Sequence, residues 1–190
     1  MKLDRLIAMA PALHLTGNRL VLRRLQEGDV ATAIAHEEDR RIMRWIRDPQ
    51  PREQIESRTR EMLAHWAGVE GKWLVLAAAD RNDDAMFGIV CMRVVTAESQ
   101  IFEIGYRLHP DVHRRGLATE ACELMFDFLF ERIEARKLIA LCAADNEPSW
   151  RLMEKLGMRR EALLREHFFL EGRWQDEIIC GLLRREWRQG

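Results

Sequence analysis

The sequence predicts an α/β (α+β) fold, a mixed and mostly antiparallel sheet of about seven strands flanked by about four helices. Three observations predict it. Lys72 to Leu108 reads as a block of apolar strands interrupted by the turn cluster Asp80-Arg81-Asn82-Asp83-Asp84. Ile101 to Ala143 then runs strand, break, helix, strand. Arg159 to Leu170 and Trp174 to Leu183 end the chain as a hairpin across Glu171-Gly172-Arg173.

In chain order, Arg19 to Leu25 alternates like a half-buried strand. Gly28-Asp29 supplies a turn and an N-cap for a helix over Val30 to Glu38. A second helix begins near Arg52 and runs to about Trp66, after an irregular stretch holding Trp45, Pro49 and Pro51. Lys72 to Ala79 and Met86 to Val95 pair as a hairpin, and Ile101 to Leu108 is the third strand of that block. Gly105 inside that strand marks a bulge or a close backbone approach. Pro110 to Arg115 breaks the chain, and Leu117 to about Ile133 has helical spacing with a wide apolar face. Lys137 to Ala143 is a buried strand, and Asn146-Glu147-Pro148 starts a helix that Gly157 closes. No repeat or linker divides the 190 residues, so one domain over 1–190 is expected, its core about 15–187.

A formal net charge of −1 gives no global field for nucleic acid or an anionic membrane, and neither is an expected partner. Cys91, Cys122, Cys142 and Cys180 form no CxxC pair and no spacing with histidine that suits a metal, so no metal site is expected. Buried free thiols point to a reducing compartment, the cytoplasm. Leu6 to Leu13 has the length of a signal-peptide core, but Asp4 flanks it and Pro11 interrupts it. No segment approaches the ~20 apolar residues of a membrane span.

The segment Asp111-Val112-His113-Arg114-Arg115-Gly116-Leu117-Ala118-Thr119 stands between strand and helix. A turn feeding a helix start presents unpaired N–H groups and the positive end of the helix dipole, which favours a phosphate. Gly116 removes the side chain that would block approach, Ala118 keeps the next turn narrow, and Arg114 and Arg115 add charge. A capping glycine beside two solvated arginines would give the same pattern.

Four segments together resemble the GNAT superfamily of N-acetyltransferases. They are Thr16-Gly17-Asn18-Arg19-Leu20-Val21-Leu22-Arg23, Glu103-Ile104-Gly105-Tyr106-Arg107-Leu108-His109-Pro110, Arg115-Gly116-Leu117-Ala118-Thr119-Glu120-Ala121, and Asn146-Glu147-Pro148-Ser149 with Glu154-Lys155-Leu156-Gly157-Met158. The branch they resemble acetylates ribosomal-protein N-termini (RimJ/RimL-type), and the likeness runs from about Leu15 to Trp187.

That resemblance implies acetyl-CoA as co-substrate and a cleft between splayed strands matching Ile101 to Leu108 and Lys137 to Ala143. Main chain around Tyr106, Arg107 and Leu108 would hold the pantetheine arm and polarise the thioester carbonyl. His113, Arg114, Arg115, Gly116, Leu117, Ala118 and Thr119 would bind the pyrophosphate. His113 departs from the glutamine or arginine common in the family, and an exposed loop histidine explains it better than a catalytic one. Asn146 resembles the asparagine that bonds pantetheine, with a helix cap as the other reading. Ser149 matches a serine suggested to protonate the departing thiolate, or serves local hydrogen bonding.

Ribosomal relatives carry a carboxylate in the strand matching Glu166 to Leu170, where this chain has Phe168. Glu166, two residues away, would share its strand face and could replace it, and Glu103 is the other candidate base. A paired structural role is open for both. Direct attack needs a neutral amine: at pH 7 an α-amine of pKa ~7.8 is neutral in roughly one molecule in seven, a lysine amine of ~10.4 in roughly one in 2,500. An unclear base therefore favours a protein or peptide N-terminus. The alternatives are a small-molecule amine (aminoglycoside, polyamine or amino-acid analogue) and an acetyl-CoA-binding module that has lost catalysis. Trp45, Trp66, Phe168, Phe169 and Trp174 would wall the acceptor site or belong to the core, and Arg41, Arg44, Arg47 and Arg52 would attract an acidic acceptor or be solvated. The expected state is a monomer or homodimer.

Overall fold

Eight strands form one sheet in the computed structural model, which describes residues 2–187. They are β1 (His14–Thr16), β2 (Leu20–Arg24), β3 (Leu74–Asp80), β4 (Met86–Thr96), β5 (Ile101–Leu108), β6 (Lys137–Ala143), β7 (Arg159–Leu170) and β8 (Arg173–Leu183). Their order is β1-β2-β3-β4-β5-β6-β8-β7, antiparallel throughout except for β5 beside β6. The helices are α1 (Leu3–Met9), α2 (Val30–Glu38), α3 (Arg40–Met43), α4 (Arg52–Leu63), α5 (Leu117–Asp127) and α6 (Glu147–Lys155). The expected domain bounds include residue 1 and residues 188–190, which lie outside the described residues.

Alternation along the strands divides the sheet into two faces. On the back, Val90, Met92, Val94, Phe102, Ile104, Leu138, Ala140, Ile178, Cys180 and Leu182 pack with Cys122, Met125 and Phe126 of α5 and Met153 of α6. On the front, Val75, Ala77 and Ile89 meet Ala33 of α2 and Met62 and Leu63 of α4. Each fully buried Leu or Phe stabilises the fold by ~1.5–3 kcal/mol, so the back cluster is the main stabilising layer.

Several elements differ from the sequence reading. β1, α1 and α3 are additional, all short. Leu6, Ala10 and Leu13 of the N-terminal apolar run are buried in the back core. α4 stops at Leu63, and Trp66 beyond it is buried with Nε1 donating to the Lys72 carbonyl at 2.9 Å. Asp29 holds the N-cap position of α2 without capping it, because its carboxylate takes two bonds from the buried Arg23 guanidinium (2.6 and 3.1 Å) and the Gln26 N–H (2.8 Å). The expected helix to Ile133 becomes a π-helical turn at Phe128–Arg132. The wider turn lets the consecutive residues Phe128, Leu129 and Phe130 all be buried. Gly157 closes α6 as expected, with a left-handed φ of 85°.

Candidate functional site

β5 and β6 are paired only at Ile101↔Lys137, Phe102↔Leu138 and Glu103↔Ile139. Beyond that point each strand stays bonded on its outer side, β5 to β4 as far as Leu108↔Gly88 and β6 to β8 as far as Ala143↔Glu177. The strands therefore part, and the facing edges of Ile104–Leu108 and Ala140–Ala143 have no ladder between them. Such an edge is a template for an extended ligand.

At the mouth of the gap the half-buried Tyr106 hydroxyl donates to the Ser149 carbonyl (3.1 Å) and lies 3.0 Å from Ser149 Oγ. Burial pushes the Tyr106 phenol well above its usual range, so the hydroxyl is protonated in the resting site. Asn146 holds the N-cap position of α6, yet its side chain makes no capping bond. The capping reading of that side chain is thus not the one found. Gly105 packs tightly: a Cβ there would lie 2.9 Å from Cys91 Sγ.

The turn after β5 is built from two left-handed residues, Arg114 (φ 60°) and Gly116 (φ 77°). Gly116 is the N-cap of α5, and the N–H groups of Leu117, Ala118 and Thr119 have no acceptor one turn back. The first helical bond runs from Glu120 N–H to the Gly116 carbonyl at 3.1 Å. The Leu117 side chain is buried, so only its backbone faces the turn, while Arg114 and Arg115 are exposed. Thr119 Oγ1 lies 3.4 Å from Lys155 Nζ. His113 is exposed, and its Nε2 sits 2.9 Å from the Leu108 carbonyl, folding the turn back onto the end of β5. That carbonyl accepts a bond only if Nε2 carries the proton.

Arg19 is the residue that the sequence reading left without a role. Its N–H and Nε each donate to the Glu120 carboxylate at 2.8 Å, and Nη1 donates to the Arg115 carbonyl at 2.7 Å. Burial alone would raise the Glu120 pKa, but the Arg19 hydrogen bonds hold it below its ordinary value. One residue just before β2 thus fixes both the turn and the first turn of α5. The contact spans 101 positions, which no local pattern reveals.

The fold places three further candidate residues, Glu103 and Arg107 on the front face of β5 and Glu166 on β7. Glu103 is buried and held by Arg93, whose Nε and Nη2 reach one carboxylate oxygen at 2.9 and 2.5 Å. It is a paired group rather than an open base. The Arg107 side chain points away from the gap to Glu37 of α2, with Nη1 at 2.5 Å from Oε1 but not at a hydrogen-bonding angle. Glu166 does not share a face with Phe168. The register slips between Leu164 and Phe168, and Glu166 is left-handed (φ 49°) with its N–H donating to Asp176 Oδ1 at 2.8 Å. The bulge breaks the period-two rule on which that expectation rested.

Nor do the aromatic residues form one wall. Trp66 is core, Trp45 has the Arg44 guanidinium 4.7 Å from its ring centre, and Phe169 and Trp174 are exposed and meet edge to face at 5.3 Å. Arg41 pairs with Asp39, Arg52 with Glu38 and Glu56, and Arg47 lies 3.8 Å from Glu37. At the hairpin tip Glu171 pairs with Arg40 and its N–H donates to Asp48 Oδ1 at 3.0 Å, joining β7-β8 to the front helices. Among the described residues no cluster of His, Cys, Asp and Glu could hold a metal, and no helix is long and apolar enough to cross a membrane.

Residues 19–159 match the sequence profile of a family described as acetyltransferase (GNAT) domain. The chain is 26% identical to YnaD, an uncharacterized N-acetyltransferase of Bacillus subtilis, over 92% of this chain and 99% of that one. It is 21% identical to the ribosomal protein uS5-alanine N-acetyltransferase of Escherichia coli, over 95% of each. Among solved structures, a spermidine N-acetyltransferase from Vibrio cholerae in complex with CoA and spermine superposes with a TM-score of 0.75 at 21% identity, covering 88% of this chain and 96% of that one.

Proposed function

The chain belongs to the GNAT acetyltransferase family, whose members use acetyl-CoA, and on that premise we propose that it acetylates the α-amine of a protein or peptide N-terminus. The observation that carries the donor half is the parting of β5 and β6 after Glu103 and Ile139, with the turn of Gly116 at one end and Tyr106–Ser149 at the mouth. In this reading the N–H groups of Leu117, Ala118 and Thr119 bind the pyrophosphate, and Arg114 and Arg115 reach the remaining phosphate. The uncommitted Asn146 amide takes the pantetheine. The Tyr106–Ser149 pair supplies a proton to the departing sulfur. The four unpaired cysteines suit a cytoplasmic chain.

Charge supports an N-terminus over a polyamine. The buried front-face carboxylates are already matched by arginines, Glu37 by Arg47, Arg58 and Arg107 and Glu103 by Arg93. A polycation needs the opposite balance. With acetyl-CoA saturating, mass spectrometry of a mixture of N-terminal peptides, N-blocked lysine peptides and spermidine should show acetyl on the free N-termini first. Acetyl found on spermidine alone would refute the acceptor assignment.

The turn has its own test. Arg19→Ala should weaken acetyl-CoA binding by roughly tenfold, because the lost hydrogen bonds of ~1–2 kcal/mol no longer fix the N–H groups. Arg19→Lys should recover little, since the fork to two acceptors is missing. Calorimetric affinity equal to wild type would remove Arg19 from the turn's support.

A further inference from the structure

With Glu103 tied to Arg93 and Glu166 turned into the bulge, a third carboxylate stands one strand away from the opened gap. Glu177 stands opposite Ala143 of β6 and Leu164 of β7, at the end of β6 where the gap from β5 has opened. Its neighbours Ile178 and Cys180 belong to the back core, so alternation places Glu177 on the front face. Its side chain is 18% exposed, reachable yet largely removed from water. Its nearest potential cation is a histidine: His167 Nε2 lies 3.6 Å from Oε2, an ion pair when the imidazole is protonated. The β7 bulge brings that histidine there, since Arg165, Glu166 and His167 stand unpaired between Leu164↔Glu177 and Phe168↔Gln175.

We propose that Glu177 is the catalytic carboxylate that takes the proton from the acceptor ammonium, with His167 as its positioning partner. This rests on the acetyl-transfer reading of the cleft. The carboxylate removes one N–H proton, leaving a neutral amine. The nitrogen lone pair then forms the bond to the acetyl carbon, and the carbon–sulfur bond breaks with its electron pair on sulfur. The sulfur takes a proton from the Tyr106–Ser149 pair, the nitrogen's second proton passes through water to restore that pair, and Glu177 returns the first proton to water. One proton is released overall. Burial pushes the Glu177 pKa up and Glu103 adds to the rise, against the pull of His167 and Arg93, and the net direction is upward, towards the range of a useful base.

The test compares wild type, Glu177→Gln and His167→Asn. Glu177→Gln should lower kcat/KM for the amine by roughly 10²–10⁴-fold and abolish the acid limb of its pH profile, while acetyl-CoA affinity by calorimetry stays at the wild-type value. His167→Asn removes a charge that lowers the Glu177 pKa, so the acid limb should move to higher pH. Wild-type kcat/KM in Glu177→Gln overturns the proposal. Should that variant fail to bind acetyl-CoA, the half-exposed His167→Asn decides: a shifted limb supports the proposal and an unmoved limb overturns it. A wild-type protein that turns over no amine overturns the acetyl-transfer reading itself, and this inference with it.

Discussion

Replacing Glu37 with alanine should lower the unfolding free energy by about 3–5 kcal/mol, measured by urea denaturation. The Glu37 side chain is 1% exposed and faces Arg107 (8% exposed), Arg58 and Arg47. Arg58 Nη2 donates to Oε2 at 2.5 Å. Removing the carboxylate leaves the Arg107 guanidinium buried with no counter-charge, and three like charges repel one another. At this chain length each kcal/mol corresponds to ~2–4 °C in Tm. Burial acts to raise the Glu37 pKa, but Arg107, Arg58 and Arg47 together bring it below its ordinary 4.5. A carboxylate with a lowered folded-state pKa contributes stability that is full above the unfolded value and lost as pH falls through the folded one. The wild type should therefore lose this part of its stability below about pH 4.5, and Glu37→Ala should lack that component. A loss under about 1 kcal/mol at neutral pH would mean that the cluster is solvated, as exposed pairs are.

Gly116→Val should weaken acetyl-CoA binding by roughly ten- to a hundredfold. The φ of 77° suits glycine, whereas a β-branched residue held there costs ~1–3 kcal/mol. A Cβ would also come within 3.3 Å of Nη2 of the Arg19 guanidinium, whose Nη1 bonds the Arg115 carbonyl. The free protein can relieve this strain by shifting an exposed loop, so Tm changes little. Binding must restore the loop and bear the strain, so the cost falls on affinity. Calorimetry showing wild-type affinity would remove the turn from the donor site.

Elements with strong local signals were legible before the structure. β5 and β6 occupy the predicted residues, as does α2, because an apolar run of strand length and a helical period each carry their own pattern. The turn at Gly116 was legible too, since glycine before a helical run is a local feature. β1 escaped because three residues are too few to show a period. Glu166 was misplaced because a bulge cancels alternation without leaving a mark in composition. Arg19–Glu120, Arg107–Glu37 and His167–Glu177 were hidden for another reason: each joins residues whose proximity depends on sheet order or strand register. The residues proposed to hold the donor lie in contiguous segments and could be read. Those proposed to handle protons are brought together by strand register, which only the fold supplies.

The most direct measurement of the central claim is CoA thiol release from acetyl-CoA in the presence of an unblocked peptide, read beside the mass of that peptide. The account predicts thiol release that matches, mole for mole, acetyl gained at the peptide's N-terminal nitrogen. Acetyl-CoA bound tightly, with no thiol released to any amine, would contradict it.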